Sequence, residues 1–177
     1  IAHRLADALG IRYYDKELIR MASEDSGISE ALFNLTDEKL EDKFLRKHGI
    51  AKGTLVSQPQ PDRLTKEELF QFQSEIIRRV ADLEESCIII GRCADYVLKD
   101  YDNVVNIFVC GDMESKIHRM MWTFSLEKEV AEERIRETDK QRHKYYNYYT
   151  GKTWDAASNY DLCLNTGDMT IEEAAEQ

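Results

Sequence analysis

The chain has 177 residues, of which 42% are hydrophobic and 33% charged, the size and composition of one globular domain. No apolar run approaches the roughly 18–20 residues needed to cross a bilayer. The net charge of −10 argues against a nucleic-acid coat protein, so the expected partners are small molecules and not nucleic acids or a membrane.

The N-terminal part of the chain is predicted to be mainly helical. The apolar residues of positions 1–9 fall on one helical face, and Gly10 is suited to end that helix. Residues 11–14 are a short β-prone run, and Asp15 can cap a helix that starts at the next residue. We expect helices over 16–47, with breaks near 26–27 and 34–36.

A loop and a further helix follow. Residues 49–62 contain both prolines of the chain and read as a loop. Thr65 and Glu68 have the spacing of a capping box, and apolar residues then repeat at helical intervals to about Glu85.

The C-terminal half alternates between strands and helices. The apolar runs 87–90 and 104–109 are continuous, which is typical of strands that are covered on both faces of a parallel sheet. The other predicted elements are helices over about 94–99, 112–124 and 127–149, a strand over 160–164, and a terminal helix opened by a capping box at Thr170. This alternation predicts one α/β domain over residues 1–177.

The cysteines and histidines carry no motif of their own. The four cysteines, at positions 87, 93, 110 and 163, have neither a CxxC pair nor metal-ligand spacing, and three of them lie in apolar runs. This pattern predicts reduced, buried thiols and a cytoplasmic location. The four histidines also lack ligand spacing, so no metal ligands are assigned from the sequence.

Polar groups follow three predicted strands. They are Asp15, the pair Gly91-Arg92 and the pair Gly111-Asp112. Ligands of open α/β sheets bind beyond the carboxyl ends of the strands, and a strand-end arginine is well shaped for phosphate. The simpler interpretation is that Arg92 pairs with Asp95 and that Asp15 only caps a helix.

A cationic segment stands out in an otherwise acidic chain. Residues 134–152 contain six basic and two acidic residues. On a helix, Arg136, Asp139 and His143 share a face, and a helix end or hinge near 139–142 is needed for Arg142 to converge with Arg136. Such a patch suits an anionic small molecule, whereas the simpler alternative is a solvated helix face with i,i+4 ion pairs.

Four tyrosines lie within residues 145–149. Tyrosines beside arginines can stack the bases of single-stranded RNA, but the overall charge opposes this function. Packing of an amphipathic hairpin, or a contact between subunits of a homo-oligomer, is the favoured interpretation.

Four segments together resemble the cytidylate kinase-like family. They are CIIIGRCADYVL at 87–98, TDKQRHKYYNYYTG at 138–151, YDLCLNT at 160–166 and GIRYYDKEL at 10–18. The resemblance implies a three-layer P-loop kinase-like fold with a short parallel sheet, helices on both faces, a helical acceptor-binding insertion and a helical lid. It also implies ATP-dependent phosphoryl transfer to a nucleoside monophosphate, CMP or dCMP, with Mg²⁺.

The resemblance also suggests roles for individual residues. It implies that Arg92, Arg20, Asp15 and Asp95 bind the acceptor, although Cys93 stands where the related enzymes have an aspartate directly after the arginine. It implies that Asp139 and Arg142 belong to a catalytic lid, with Arg136 or Arg134 as its second arginine. No phosphate loop lies within the given residues, and the resemblance places a strand and such a loop upstream of Ile1.

Two other functions stay open. One is a related P-loop kinase with another small phosphorylated or hydroxylated acceptor. The other is a catalytically silent nucleotide-binding module that regulates a partner while keeping the fold.

Overall fold

The computed structural model describes residues 1–27 and 65–177. They belong to two compact units, of which the first comprises Ile1–Tyr13 with Ser86–Gln177 and the second comprises Tyr14–Glu85. The prediction of one domain over 1–177 stays a prediction. In chain order the described elements are α1 (Ala2–Leu9), β1 (Arg12–Tyr14), α2 (Lys16–Ser26), α3 (Lys66–Leu83), β2 (Cys87–Ile89), α4 (Ala94–Val97), β3 (Ile107–Cys110), α5 (Met113–Phe124), α6 (Lys128–Thr150), a 3₁₀ turn (Ala157–Asn159), β4 (Leu162–Asn165) and α7 (Ile171–Glu176).

The second unit is built on the packing of α2 against α3. Their apolar faces are buried, with Leu18 on α2 and Ile77 on α3 almost fully covered. The predicted capping box is confirmed, because the Thr65 hydroxyl accepts from the Glu68 amide at 3.2 Å and the Glu68 carboxylate accepts from the Thr65 amide at 2.7 Å. The predicted break at 26–27 is confirmed by Gly27, which ends α2 with a φ of 70°. The helices expected over 28–47 and the loop expected over 49–62 lie outside the described residues.

The first unit contains two short sheets, one formed by β1 and β2 and the other by β3 and β4. The β3 and β4 strands are parallel, and Ile107 pairs with Leu162 at one end and Cys110 with Asn165 at the other. Helices α5 and α6 pack together over Ile117, Ala131 and Ile135. Mixed helices and short parallel sheets confirm the α/β class. No helix in the described parts of the chain is long and apolar enough to cross a membrane.

The predicted strand 104–109 is shifted in the structure. The strand spans Ile107–Cys110, and Val105 is 71% exposed outside it. Pairing starts where β4 starts, because the Asn106 carbonyl accepts from the Asp161 amide at 2.8 Å and the Asp161 carboxylate accepts from the Asn106 amide at 2.7 Å. Residues before Asn106 have no β4 residue left to pair with, so the ladder cannot extend over them.

The expectation that both strands are covered on both faces is wrong for β3. Phe108 packs on Tyr160 and Trp154, with ring centroids 4.8 and 5.3 Å apart, whereas Ile107 and Val109 on the other face are exposed. An unbroken apolar run does not distinguish such a strand from a fully covered one, since it carries no alternation of polarity.

Candidate functional site

The turn after β2 has an unusual backbone. Gly91, Arg92 and Cys93 take left-handed conformations with φ angles of 66°, 58° and 54°. Glycine adopts this region freely, but each of the two other residues is strained by about 1–3 kcal/mol. Backbone bonds to the turn start α4, because the Cys93 carbonyl accepts from the Val97 amide at 2.9 Å. Strain of this kind is found mainly at functional sites, where the surroundings hold it in place.

Buried polar groups surround this turn. Cys93 is 4% exposed, and burial, followed by the nearby Asp95 carboxylate, raises the pKa of its thiol to about 12, while Arg92 opposes the shift. Burial is also the main cause that raises the pKa of Tyr145. The nearby Cys93 adds to this shift, and Arg92 opposes it. Asp95 accepts a 2.5 Å hydrogen bond from the hydroxyl of Tyr146. The thiol and the phenols are therefore neutral, and the turn's charge comes from Arg92 and Asp95.

Arg92 is half-buried within this turn. Its Nη1 atom is buried and makes no hydrogen bond among the described residues, although the side chain has other contacts. The guanidinium thus lies at the carboxyl end of β2, as the sequence predicts.

A second site lies at the carboxyl end of β3. Here α5 and α6 enclose a cavity of about 250 Å³, which we call the basic cavity. Four basic side chains and one carboxylate line it. Its lining residues are Val109, Cys110, Gly111, Ser115, Lys116, Arg119, Met120, Arg134, Ile135, Thr138, Asp139, Arg142 and Thr166.

Asp139 joins the two helices of the basic cavity. Its carboxylate accepts from Lys116 Nζ on α5 at 2.7 Å and from Arg142 Nη1 on α6 at 3.4 Å. The Arg119 guanidinium donates to the Thr166 carbonyl at 3.5 Å, and the Arg134 guanidinium lies 5.0 Å from the centre of the Phe124 ring. The Asp139 carboxylate therefore pairs with two cations, and the side chains that line the cavity carry an excess of positive charge.

The loop after β4 closes the cavity on one side. The amide and the hydroxyl of Thr166 both donate to the Cys110 carbonyl, at 2.8 and 3.1 Å. A Cβ on the next residue, Gly167, would lie 2.5 Å from Asp112 Oδ2, so a larger residue here would push the Asp112 carboxylate out of its present position. Asp112 caps α5 as predicted, because its carboxylate accepts from the Ser115 amide at 2.9 Å.

The lid residues expected from the resemblance divide into two groups. Asp139 and Arg142 line the basic cavity, and so does Arg134, the alternative second arginine. Arg136 lies outside the cavity and pairs with Glu132 one turn earlier, at 2.7 and 3.0 Å. The helix predicted over about 127–149 is confirmed, since α6 runs unbroken from Lys128 to Thr150, and no hinge near 139–142 brings Arg142 towards Arg136. Helical spacing alone brings residues 135, 138 and 142 to one face.

Lys116, Arg119 and Thr166 were not predicted as site residues. Lys116 and Arg119 are three residues apart on α5, directly after the strand-end pair Gly111-Asp112. That spacing places both side chains on one face of the helix, and it is the signal that could have indicated them.

Asp15 and Arg20 belong to the second unit. Asp15 occupies the N-cap position of α2, but the expectation that its side chain caps the helix is wrong, because its backbone has φ −128° and ψ −97° and its carboxylate makes no capping bond. Arg20 is exposed and donates to Glu24 at 3.3 Å, one turn along the same helix. The acceptor-binding roles of both residues stay predictions.

His143 and Trp154 form an aromatic cluster next to Arg142. His143 on α6 contacts the carbonyl of Asp139 through Nδ1 at 2.9 Å and the carboxylate of Asp155 through Nε2 at 3.0 Å. The Trp154 ring packs on the edge of this imidazole, and the Arg142 guanidinium lies 5.6 Å from the centre of the Trp154 ring. The bond from the Asp139 carbonyl, followed by Asp155, raises the pKa of His143.

The described residues do not form a metal site. Nowhere in 1–27 or 65–177 do three or more histidine, cysteine, aspartate or glutamate side chains cluster as metal ligands do. Mg²⁺ bound with a nucleotide typically takes only one or two carboxylates together with phosphate oxygens and water, so it does not require such a cluster.

An α/β unit with cationic side chains at two strand ends has the architecture of proteins that bind phosphorylated ligands. The sequence model of the cytidylate kinase-like family matches residues 1–168, and the chain belongs to this family. The resemblance found in the sequence is thereby confirmed. Membership suggests nucleotide kinase activity.

A solved structure supports the fold. The crystal structure of an uncharacterized protein from Eubacterium ventriosum matches with a TM-score of 0.70 and 24% identity, covering 99% of this chain and 85% of that one. At this level of identity the match shows the fold alone. No curated protein matches the chain.

Proposed function

We propose that the protein transfers the terminal phosphoryl group of ATP to a nucleoside monophosphate, with CMP or dCMP as the acceptor. The observation that carries this proposal is the basic cavity, where Lys116, Arg119, Arg134 and Arg142 lie around a single carboxylate. Phosphoryl transfer requires positioning and neutralisation of charge more than covalent chemistry, and this cavity offers both.

The size and charge of the cavity suit phosphate groups. At about 250 Å³ it is at the small end of ligand pockets, so it fits phosphate groups better than a whole nucleotide. Phosphate oxygens can replace the Asp139 carboxylate as the partner of Lys116 and of Arg142, so each cation keeps a negatively charged partner.

The acceptor is assigned to the turn after β2. Arg92 binds the acceptor phosphate with its planar guanidinium, and Asp95 orients the acceptor from the first turn of α4. The acceptor-binding roles that the resemblance implies for Arg20 and Asp15 stay predictions.

Arg142 and Arg134 stabilise the charge that develops on the transferred group, and the closed site excludes water that would otherwise hydrolyse ATP. We assign the second lid role to Arg134 and not to Arg136, because Arg134 lines the cavity and Arg136 pairs with Glu132 outside it. Mg²⁺ is expected to accompany ATP and to take most of its ligands from the phosphates and from water.

One observation favours a second candidate, a kinase with another small acceptor. Cys93 is buried and neutral at the position where the related enzymes have an aspartate, so the pyrimidine contact made by that aspartate is missing. A purine nucleotide or another phosphorylated acceptor then becomes the substrate of the same site.

An acceptor panel tests the proposal. ADP formation from ATP is measured with CMP, dCMP, UMP and AMP, each at equal concentration, with the Lys116→Ala/Arg142→Ala double variant as the inactive control. We expect stoichiometric ADP production with CMP or dCMP. Turnover with AMP alone supports the second candidate. ATP binding without turnover across the whole panel overturns the kinase and supports a silent nucleotide-binding module.

A further inference from the structure

We propose that Tyr146 is a positioning residue for the acceptor site, whose hydroxyl holds the left-handed turn at 91–93 through Asp95. This inference rests on the proposed function, because it assigns a purpose to the turn that carries Arg92. The tyrosine run was interpreted from the sequence as packing or a subunit contact, and the structure gives one member of it a specific partner.

The contact is partly buried. Tyr146 is 4% exposed on α6, and its hydroxyl donates to Asp95 Oδ2 at 2.5 Å. A hydrogen bond to a carboxylate is about twice as strong as a neutral one, and the burial of the tyrosine limits the competition from water. The bond joins residues 51 positions apart in the chain, so it ties α4 to α6.

The turn requires such a tie. Arg92 and Cys93 hold strained left-handed conformations that persist only where the surroundings determine them. The backbone bond from the Ala94 amide to the Gly91 carbonyl, at 3.0 Å, and those that start α4 fix the turn relative to its own helix. Asp95 is two residues beyond Cys93, and its bond to Tyr146 fixes that helix relative to α6.

The same tie links the two parts of the proposed site. Tyr146 follows Arg142 by four residues, one helical turn, on the uninterrupted helix α6. The helix that carries the cavity's Asp139 and Arg142 therefore also holds the turn that orients Arg92. Removing the hydroxyl should disturb the acceptor side and leave the ATP side in place.

The experiment compares Tyr146→Phe with Tyr148→Phe. The first removes the buried hydroxyl and keeps the ring, and the second removes a hydroxyl from an exposed tyrosine of the same run. We measure CMP affinity by calorimetry, the KM values of CMP and ATP, and the rate of thiol alkylation at Cys93, with the modified peptide identified by mass spectrometry. The alkylation rate does not depend on catalysis. It reports directly on the turn at 91–93, because Cys93 is buried within that turn.

We expect Tyr146→Phe to weaken CMP binding about tenfold or more, to leave the KM of ATP within twofold, and to speed alkylation of Cys93 several-fold. Tyr148→Phe should match the wild type in all three measurements. In an Asp95→Asn background, Tyr146→Phe should have a smaller effect on alkylation, because the carboxylate that strengthens this hydrogen bond is already gone.

Two outcomes overturn the inference. Unchanged alkylation of Cys93 in Tyr146→Phe shows that the hydroxyl does not hold the turn, and faster alkylation with unchanged CMP affinity shows a purely structural role. If the wild type binds CMP without turnover, the proposed function fails. The inference is then still decided by the CMP affinity of Tyr146→Phe relative to that of the wild type. If the wild type binds no CMP, both fail.

Discussion

The turn after β2 and the basic cavity hold their polar groups in opposite ways. In the turn, Cys93 and Tyr146 are each 4% exposed, and the Asp95 carboxylate accepts a hydrogen bond from the Tyr146 hydroxyl. In the cavity, the side chains of Lys116 and Arg142 are 34% and 58% exposed, and both share one carboxylate. One region is held mainly by burial, and the other holds its cations in pairs that are partly open to solvent.

This difference predicts which substitutions change the stability of the fold and which change catalysis. A buried, charge-assisted bond is costly to break because the remaining group stays desolvated. An exposed ion pair contributes about 0–1 kcal/mol, so its members can exchange partners when an anion arrives. Substitutions in the turn should therefore change stability together with acceptor binding, whereas those in the cavity should change turnover alone.

The largest expected effect is that of Arg142→Ala. We expect kcat to fall about 10²–10³-fold, because a cation aimed at developing charge is lost from the site. The midpoint of thermal unfolding should stay near that of the wild type, since the pair with Asp139 is exposed on the arginine side. Steady-state ADP formation and a thermal melt measure the two quantities.

Lys140→Ala is the matched control for Arg142→Ala. Lys140 is an exposed cation on the same helix and lies outside the cavity lining. Its removal should leave kcat within twofold. A large loss of stability in Arg142→Ala with normal turnover would reverse the comparison between the two regions.

Arg92→Ala should have the next largest effect. The loss of a charge-assisted contact to the acceptor phosphate is worth about 1.5–3 kcal/mol, which is roughly 10–150-fold in the kcat/KM of the acceptor. The KM of ATP should be unchanged, because the acceptor phosphate is absent from ATP. Arg92→Lys keeps the charge without the planar fork and should recover only part of the loss. Unchanged acceptor kinetics in Arg92→Ala contradict the assignment.

Arg134→Ala and Arg136→Ala decide which arginine completes the lid. Arg134 lines the cavity, so its loss should lower kcat at least about tenfold. Arg136 is paired with Glu132 outside the cavity, and its loss should change kcat less than about twofold. The reverse ranking would support Arg136 as the second lid arginine and would require α6 to rotate when ligands bind.

Much of the fold follows from local sequence rules. The capping boxes at Thr65 and Thr170 and the helix ends at Gly10 and Gly27 are set by residues within one turn of each terminus. The start of β3 is different, because Asn106 pairs with Asp161, 55 positions away. The pairing register of β3 with β4 therefore cannot be predicted from the sequence around either strand alone.

The candidate site is predictable to a similar extent. Strand-end reasoning located Arg92, and the charge pattern located Asp139 and Arg142. The left-handed backbone at Arg92 and Cys93 was not predictable, since neither residue favours it. The partners of Asp95 and Asp139 were not predictable either, because Tyr146 and Lys116 reach them from other helices.

The smallest expected effect concerns His143, which packs against Trp154 next to Arg142. Both ring nitrogens face acceptors, the carbonyl of Asp139 and the carboxylate of Asp155, so only the protonated ring can donate to both. Its pKa is raised above the ordinary 6.5, first by the Asp139 carbonyl and then by Asp155. The stabilisation is therefore complete below about pH 6.5 and is lost as the pH rises through the raised pKa.

His143→Gln should remove this pH dependence. The wild type should melt at a higher temperature than the variant at about pH 5.5, and the difference should shrink at about pH 8.5. The effect is small because the His143 and Asp155 side chains are 40% and 53% exposed, which allows water and salt to screen the pair. An NMR titration of the imidazole gives the pKa directly. A His143 pKa below 6.5, or a difference that grows with pH, would show that the neutral ring is the form that the folded protein favours.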